Sequence, residues 1–169
     1  IYTANKGARN IYGYLFNTEL VPAENLGVKN AGWDRDAGYL LIRSCYNSYL
    51  YPVESASINV IDKFMLHGRE IVRYLDGGSA VHLNTDDYLT SAGYLKLFNL
   101  AAKIGCNYWT TNVKVTYCCK CKVIHKLTLT ICPDCGSKEV KYATRVIGYL
   151  KIIDNFSKVR RDEESLRYY

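Results

Sequence analysis

Four cysteines in paired spacing constrain this 169-residue chain more than any other feature. Cys118-x-x-Cys121 and Cys132-x-x-Cys135 are separated by ten residues, and each pair can direct two thiolates at one point. The second turn also contains a proline and a glycine, which suit a tight backbone. The pattern predicts a structural zinc ribbon, because four thiolate ligands leave no coordination position for water or substrate.

The remaining cysteines and one histidine are not expected to bind the metal. The total of seven cysteines is odd, which favours a metal site in a reducing compartment over a disulfide framework. Cys119 would form a poorer chelate, and His125 is predicted to lie beside the ligands or at the surface. Cys45 and Cys106 are predicted to be small buried residues.

Composition and charge indicate one globular domain. The chain is 49% hydrophobic with a net charge of +6, which permits a nucleic-acid partner without requiring one. The basic run at 158–161 is followed at once by acidic residues 162–164, so a solvated helical face is predicted there. No stretch of 18 apolar residues occurs, so a cytoplasmic protein without membrane contact is expected. The absence of an initiator methionine at Ile1 suggests a fragment or a processed chain.

Hydrophobic periodicity predicts alternating strands and helices up to about residue 113, as in a piece of an α/β sheet or barrel. The clearest helix contains Tyr94 to Ile104, with Thr90 or Ser91 as its N-terminal cap and Gly105 at its end. A further helix is predicted within 58–75. Strands are predicted at 11–16, 39–42, 49–53, 80–83 and 109–117, and a surface loop at 32–38.

Gly148 interrupts a strand-like run at 146–150, thirteen residues after the last cysteine of the array. By itself, a glycine in such a run indicates a bulge or a close backbone approach.

Motifs in a fixed order along nearly the whole chain resemble the C-terminal part of the anaerobic (class III) ribonucleotide reductase large subunit, a glycyl radical enzyme. The final match is Arg145-Val146-x-Gly148-Tyr149-Leu150, with Asn155 and Lys158 in the tail. The earlier matches are Pro-Ala-Glu (22–24), Tyr-Asn-Ser with Pro-Val following (46–48, 52–53), Gly-Gly before a strand with His (77–78, 82), and Asn-Tyr (107–108) ahead of the cysteines. Ile147 and Ser157 depart from the pattern, where cysteine or another small residue and glycine, respectively, are more usual.

The resemblance implies an α/β fold in three parts. Residues 1–113 would form the C-terminal part of a ten-stranded glycyl-radical-enzyme barrel. Residues 114–143 would form the zinc ribbon, and residues 144–169 the glycyl radical loop and C-terminal tail.

The implied activity is the radical reduction of ribonucleoside triphosphates to 2′-deoxyribonucleoside triphosphates, a step in the supply of DNA precursors. Gly148 would store the radical, since a residue without a β-carbon can flatten and delocalise it along the backbone. The four cysteines would hold the radical loop. A separate iron–sulfur activase that uses S-adenosylmethionine would generate the radical. The thiyl cysteine that attacks the ribose is expected on an upstream part, so this chain alone is expected to be inactive.

The resemblance also implies a substrate site. Its residues are Pro22, Ala23, Glu24, Asn25, Asn47 and Ser48. The first four match a turn into a helix whose N–H groups hold nucleotide phosphates, and the last two match a segment near the ribose. Read without the resemblance, Glu24 is equally a first-turn helix acid, and the Asn-Ser pair is a turn former.

The implied partners are the activase, the N-terminal remainder of the reductase, a second copy in a homodimer of the complete enzyme, and a ribonucleotide. Whether formate or a thiol protein supplies electrons, and whether di- or triphosphates are used, depends on residues outside this sequence. Two alternatives stay open at this point: a zinc-ribbon module that binds nucleic acid, and a small glycyl radical protein that docks as a spare part on a damaged enzyme.

Overall fold

The structure, a computed structural model, describes residues 2–14, 16–22, 25–47, 49–85, 88–145 and 149–167. The chain divides into two compact units. Unit 1 comprises Ile1–Pro22, Ser57–Leu83 and Leu89–Thr111, and unit 2 comprises Ala23–Ala56, Asn84–Tyr88 and Asn112–Tyr169. The predicted three-part division at residues 113 and 143 concerns the larger enzyme and stays a prediction.

Helices and strands both contribute to the described residues. The helices are α1 (Tyr2–Tyr12), α2 (Leu26–Asp36), α3 (Val60–Leu66), α4 (Arg69–Val72), α5 (Ser91–Ile104) and α6 (Lys158–Ser165), with a 3-10 turn at Ile153–Asn155. The strands are β1 (Glu19–Leu20), β2 (Gly78–Asn84), β3 (Tyr108–Asn112), β4 (Val115–Cys118), β5 (Ile124–His125), β6 (Val140–Arg145) and β7 (Leu150–Ile152). The predicted mixed α/β class is therefore confirmed.

The core of unit 1 lies between α3, α5 and β2. Every residue of β2 is buried, as expected for a strand covered on both faces. Its Val81 and Leu83 pack with Phe64 of α3 and Ala101 of α5. Trp109 closes the cluster, with its ring centroid 5.6 Å from that of Phe64 in an edge-to-face arrangement.

The ends of α5 confirm the predicted caps. The Thr90 hydroxyl accepts the N–H of Gly93 at 3.2 Å, and Gly105 adopts the left-handed conformation with φ of 84°. A glycine takes this conformation without steric cost and stops the helix. The helix predicted within 58–75 is also present, as the two short helices α3 and α4 that meet at Gly68.

Two sheets organise the strands. The first has the order β1-β2-β3, and β1 runs parallel to β2 with Glu19 paired to Gly78. The second, in unit 2, has the order β5-β4-β6-β7 with antiparallel pairing throughout. The single strand predicted at 109–117 is wrong, because β3 and β4 end up in different sheets with a break at Val113 and Lys114.

Several predicted local structures in the first third of the chain are also wrong. Ile11 and Tyr12 form the end of α1 rather than a strand, and residues 32–36 lie within α2 rather than in a loop. Residues 39–42 and 49–53 contain no strand. A helix pairs its own backbone groups, whereas a strand requires a neighbour, so an apolar run alone does not decide between them.

No helix among the residues that the structure describes is long and apolar enough to cross a membrane.

Candidate metal centre

The four predicted cysteine ligands converge in unit 2. The sulfur atoms of Cys118 and Cys135 are 3.6 Å apart, as are those of Cys121 and Cys132, and all four lie within 4.8 Å of one another. A tetrahedron with Zn–S bonds of about 2.3 Å has sulfur–sulfur edges of about 3.8 Å. The four sulfurs therefore fit a closed, structural zinc site.

Both cysteine turns have the same backbone geometry. In the first, Lys122 donates its N–H to the carbonyl of Cys118 at 3.0 Å, and in the second, Gly136 donates to Cys132 at 2.9 Å. Lys122 and Gly136 are both left-handed, with φ of 63° and 67°. The repeated turn explains how two separate Cys-x-x-Cys segments present equivalent sulfur positions.

Backbone dipoles favour a thiolate at the first ligand. The amide of Cys121, and then that of Lys120, donate to the Cys118 sulfur and lower the pKa of that thiol to about 6. In the same cluster, burial and hydrogen bonds from neighbouring sulfurs raise the pKa values of Cys121 and Cys135, so the four thiols share protons, and a bound metal would displace those that remain. Cys119 is not part of the sulfur cluster, and its N–H donates to the carbonyl of Glu139 at 2.8 Å, in agreement with its exclusion from the predicted ligand set.

His125 lies beside the sulfur cluster, as predicted. Its Nε2 is 3.3 Å from the Cys132 sulfur and 3.9 Å from an oxygen of Asp134. A ring N–H at this position can donate to a thiolate that is already bound to a metal.

The loop between the two cysteine turns is fastened to β4 by one buried hydroxyl. Thr116 is fully buried; it donates to the carbonyl of Leu127 at 2.6 Å and accepts the N–H of Leu129 at 2.8 Å. Tyr142 of β6 adds a weaker bond to the carbonyl of Leu129 at 3.4 Å.

Strand β6 runs from the cysteine cluster to Arg145, three residues before Gly148 in the sequence. At one end Val140 pairs with Cys118 of β4, and at the other end Arg145 pairs with Leu150 of β7. The five residue steps along β6 span roughly 17 Å at about 3.4 Å per residue. Gly148, the predicted radical residue, lies in the connection from β6 to β7 but outside the described residues.

The structure describes only part of the predicted substrate site. Ala23, Glu24 and Ser48 lie outside the described residues, and Pro22 is buried in unit 1. Asn25 is the N-cap of α2 and makes no side-chain capping bond. Asn47 accepts a hydrogen bond from Arg43 at 3.3 Å.

The segment that ends at Asn47 is joined to the first turn of α2 within unit 2. The N–H of Tyr46 donates to the carbonyl of Gly27 at 3.3 Å. A Cβ at Gly27 would lie 2.8 Å from the Tyr46 carbonyl oxygen, so this close approach requires glycine. The structure thereby brings together the segments that contain Asn25 and Asn47.

The histidines and the two isolated cysteines occupy structural positions. His67 Nδ1 lies 2.6 Å from the Ser79 hydroxyl, and burial lowers the pKa of His67 to about 4. His82 is buried in β2 and Cys106 in the core of unit 1. Cys45 is half-buried, and burial, followed by the charge of Glu163, raises its pKa.

Sequence reasoning missed a set of buried charges on α6. The predicted solvated face is wrong for three of its residues. Arg160, Glu163 and Glu164 are 4%, 7% and 5% exposed, Arg167 just beyond the helix is 8% exposed, and the apolar Leu166 is 52% exposed. These four charged residues occur at positions i, i+3, i+4 and i+7, which is the spacing of one helix face. The sequence contains this spacing, but the pattern is ordinarily used to identify a buried helix face only when the residues are apolar.

Comparison with known proteins agrees with the resemblance. The sequence model of the family described as anaerobic ribonucleoside-triphosphate reductase matches residues 1–169, whereas no curated protein sequence matches the chain.

The fold is similar to solved reductase structures. A structure of an anaerobic ribonucleotide reductase has a TM-score of 0.85 at 26% identity, over 99% of this chain and 27% of that one. Two structures of the enzyme from Thermotoga maritima, one in complex with dATP and CTP and one with glycerol in the active site, have TM-scores of 0.79. Their identities are 26% and 27%, and each match covers 96% of this chain and 26% of the other. This chain spans about a quarter of the length of the reductases it matches, and it belongs to the anaerobic ribonucleoside-triphosphate reductase family.

Proposed function

We propose that this chain is the C-terminal part of a reductase that converts ribonucleoside triphosphates to 2′-deoxyribonucleoside triphosphates, with Gly148 as the stored radical. The observation that carries the proposal is the direct pairing of Arg145 with Leu150 on the sheet of the metal centre. This pairing attaches the short connection that contains Gly148 to the strands that the four cysteines stabilise.

Glycine is suited to this role by its lack of a side chain. Removal of one α-hydrogen leaves a centre that can become planar and share its unpaired electron with the flanking amide and carbonyl groups. In our proposal an iron–sulfur activase that uses S-adenosylmethionine removes this hydrogen. The glycyl radical then takes the hydrogen of a cysteine thiol, and the resulting thiyl radical takes the 3′-hydrogen of the ribose, so that the 2′-hydroxyl, once protonated, leaves as water. Two electrons and a proton from formate or a thiol protein reduce the resulting ribose radical, and return of the 3′-hydrogen from the cysteine regenerates the thiyl radical.

The thiyl cysteine is proposed to lie on the upstream part of the enzyme. Cys118, Cys121, Cys132 and Cys135 form the metal site. Cys106 is packed in the core of unit 1, and Cys45 is half-buried beside the Glu163 carboxylate at 4.0 Å.

The zinc proposed for the four cysteines would act as a structural cross-link, since four thiolates leave no site for catalysis. Cys118 ends β4, and its partner Val140 begins β6. A metal held there stabilises the strand pair whose other end continues into the Gly148 connection.

The first turn of α2 is proposed to receive the substrate phosphates. Because Asn25 forms no side-chain capping bond, the N–H groups of the first turn are not capped by that side chain and can donate to an anion. Asn47 lies on the segment fastened to this turn through Tyr46 and Gly27, which supports a role for it near the ribose.

The alternative of an isolated zinc ribbon that binds nucleic acid is less well supported. The family match covers residues 1–169, whereas the predicted ribbon occupies only 114–143. Unit 1, with its own buried core, would have no purpose in such a module.

The test uses the chain assembled with the N-terminal remainder of its reductase. The enzyme is incubated without oxygen with the activase, S-adenosylmethionine and a reductant, and examined by electron paramagnetic resonance. A doublet signal is expected, followed in air by cleavage at Gly148 and release of a fragment from about residue 149 to the C-terminus. Gly148→Ala should abolish both.

Gly7→Ala is the matched control, because a Cβ at this helical position contacts nothing within 4 Å. It should retain the doublet and the cleavage. The proposal fails if the parent enzyme gives no doublet, or if Gly148→Ala behaves as the parent does. The spare-part alternative instead predicts that the chain restores a radical to an enzyme whose own glycine-containing segment has been cleaved.

A further inference from the structure

Glu164 of α6 and Arg167 just beyond it contact the sheet that contains the cysteine cluster, and both contacts are at one end of the β4–β6 strand pair. Glu164 forms an ion pair of 2.9 Å with Lys114, which immediately precedes β4. Arg167 donates from Nη1 to the main-chain carbonyl of Arg145, the last residue of β6, at 3.1 Å. Val115 pairs with the Ala143 of β6, so both contacts lie at the same end of the β4–β6 ladder.

The zinc ligands lie at the opposite end of that ladder. Cys118 pairs with Val140, roughly 17 Å along β6 from Arg145 at about 3.4 Å per residue. The β4–β6 strand pair is therefore held at two separate places, by the cysteine cluster at one end and by Glu164 and Arg167 at the other. The connection that contains Gly148 leaves from the end that α6 holds.

The interior position of these charges is itself informative. Burial of a charged side chain is unfavourable unless specific partners compensate for it. Here Arg160 pairs with Glu163 on the same face, and Glu164 and Arg167 pair with the ladder. These ion pairs and hydrogen bonds form only at defined distances and angles, whereas an apolar helix face can slide slightly and keep its contacts. Glu164 and Arg167 thus contact this end of the ladder through directional bonds.

We propose that Arg167 is a positioning residue for the Gly148 segment. Its guanidinium holds the carbonyl of Arg145, the last residue of β6 before that segment, while the ion pair of Glu164 with Lys114 fixes the helix from which Arg167 extends. The guanidinium carbon also lies 6.0 Å from the ring centre of Tyr49, which further limits its movement. This inference rests on the proposed function in assigning the radical to Gly148.

Arginine is required for this arrangement because its planar group can donate to a carbonyl and contact an aromatic ring at the same time. Arg161, on α6 itself, is a natural control. It also donates to main-chain carbonyls, those of Phe156 at 2.6 Å and Asp154 at 3.2 Å. These carbonyls follow β7 and are not part of the Gly148 connection.

The first experiment measures amide hydrogen exchange by mass spectrometry on the zinc-loaded 169-residue chain. In Arg167→Met, exchange in the peptide spanning Arg145 to Leu150 should rise about ten- to a hundred-fold, the range expected for loss of a charge-assisted hydrogen bond. Exchange at the cysteine turns should stay at the parent rate. Arg167→Lys should recover part of the protection, and Arg161→Met should leave this peptide unchanged.

The second experiment measures the radical in the complete enzyme after activation. Arg167→Met should lower the radical content per enzyme, or alter the doublet splitting, with zinc content at the parent level. Arg161→Met should match the parent in all three measurements.

The outcomes separate this inference from the proposed function. If the activated parent carries no doublet, the proposed function fails, and the exchange rates still decide whether Arg167 holds the segment. If the parent carries the doublet but Arg167→Met matches Arg161→Met in exchange or in radical signal, the inference is overturned and the proposed function stands. The inference is also overturned if Arg167→Met increases the exchange rate by the same factor at the cysteine turns and at the peptide that begins with Arg145. Arg167 would then contribute only to overall stability.

Discussion

The left-handed backbone at Gly136 permits a test of the metal centre that changes only the main chain. A Cβ at this position has no atom within 4 Å, and φ is +67°, so Gly136→Ala introduces strain without a clash. An L-residue in this region costs about 1–2 kcal/mol. Alanine also restricts the unfolded chain, which offsets about 0.4–1 kcal/mol. The net loss should therefore be about 1 kcal/mol.

This loss should be measurable as weaker zinc binding. Cys132 and Cys135 converge only when the turn is formed, with the N–H of Gly136 bonded to the carbonyl of Cys132 at 2.9 Å. Metal binding and formation of the turn are consequently coupled. A loss of about 1 kcal/mol corresponds to roughly fivefold lower affinity, since about 1.4 kcal/mol is tenfold. Competition with a chromophoric chelator under reducing conditions measures it.

Lys122→Gly is the matched control, because it removes left-handed backbone strain from one cysteine turn, whereas Gly136→Ala introduces it in the other. Lys122 occupies the equivalent left-handed position of the first turn, with φ of 63°, and glycine relieves its strain. The substitution also removes an ammonium 6.0 Å from the Tyr117 ring, a contact worth at most about 0.5–1 kcal/mol at an exposed site. Glycine also gives the unfolded chain more freedom, which costs about 0.4–1 kcal/mol, so the terms nearly cancel and the zinc affinity should stay close to that of the parent. Unchanged binding in Gly136→Ala, or equal weakening in both variants, would refute the reasoning.

Three further predictions concern stability. Thr116→Val removes the hydroxyl that holds two main-chain groups of the 127–129 loop and should lower the free energy of unfolding by about 1–3 kcal/mol in urea titrations with zinc present; an unchanged midpoint would contradict this. Burial lowers the pKa of His67 from 6.5 to about 4, so the unfolded chain takes up the proton first, and stability should fall as the pH drops from about 6.5 to about 4. His67→Asn should flatten this part of the pH profile, and a profile with the parent's slope would count against the assignment. Phe64→Ala, at a fully buried position, should cost about 3–5 kcal/mol, whereas the exposed Leu95→Ala should stay within about 0.5 kcal/mol in the same thermal unfolding assay.

Local signals accounted for the parts of the fold that sequence reasoning predicted correctly. The cysteine spacing predicted the sulfur cluster, because four ligands on two tight turns converge whatever surrounds them. Thr90 and Gly105 predicted the ends of α5, because capping depends on side chains and φ angles within one turn. In each case the interactions join residues close together in the chain.

Predictions failed where the outcome depended on partners distant in sequence. The apolar pattern of 109–117 did not reveal that the chain changes sheets after Asn112. Ile11 and Tyr12 carried a strand-like pattern but end a helix, because a strand forms only where a neighbouring strand pairs its backbone. Hydrophobic periodicity reports which residues alternate in polarity, and it does not report which segment lies alongside.

The sequence by itself determined which four cysteines cluster and the family to which the chain belongs, since both depend on residue identity and spacing. Only the tertiary structure decided that the four cysteines cluster at the Val140 end of β6 while Arg145 at its other end pairs with Leu150, and that the charges at the C-terminal end of the chain face inward. The physical reason is that Lys114 and the Arg145 carbonyl help to compensate the burial of Glu164 and Arg167, and these partners lie 50 and 22 residues earlier in the chain. A run of charged residues is predicted to be exposed to solvent, because the run itself does not specify the distant partners that would compensate the burial of its charges.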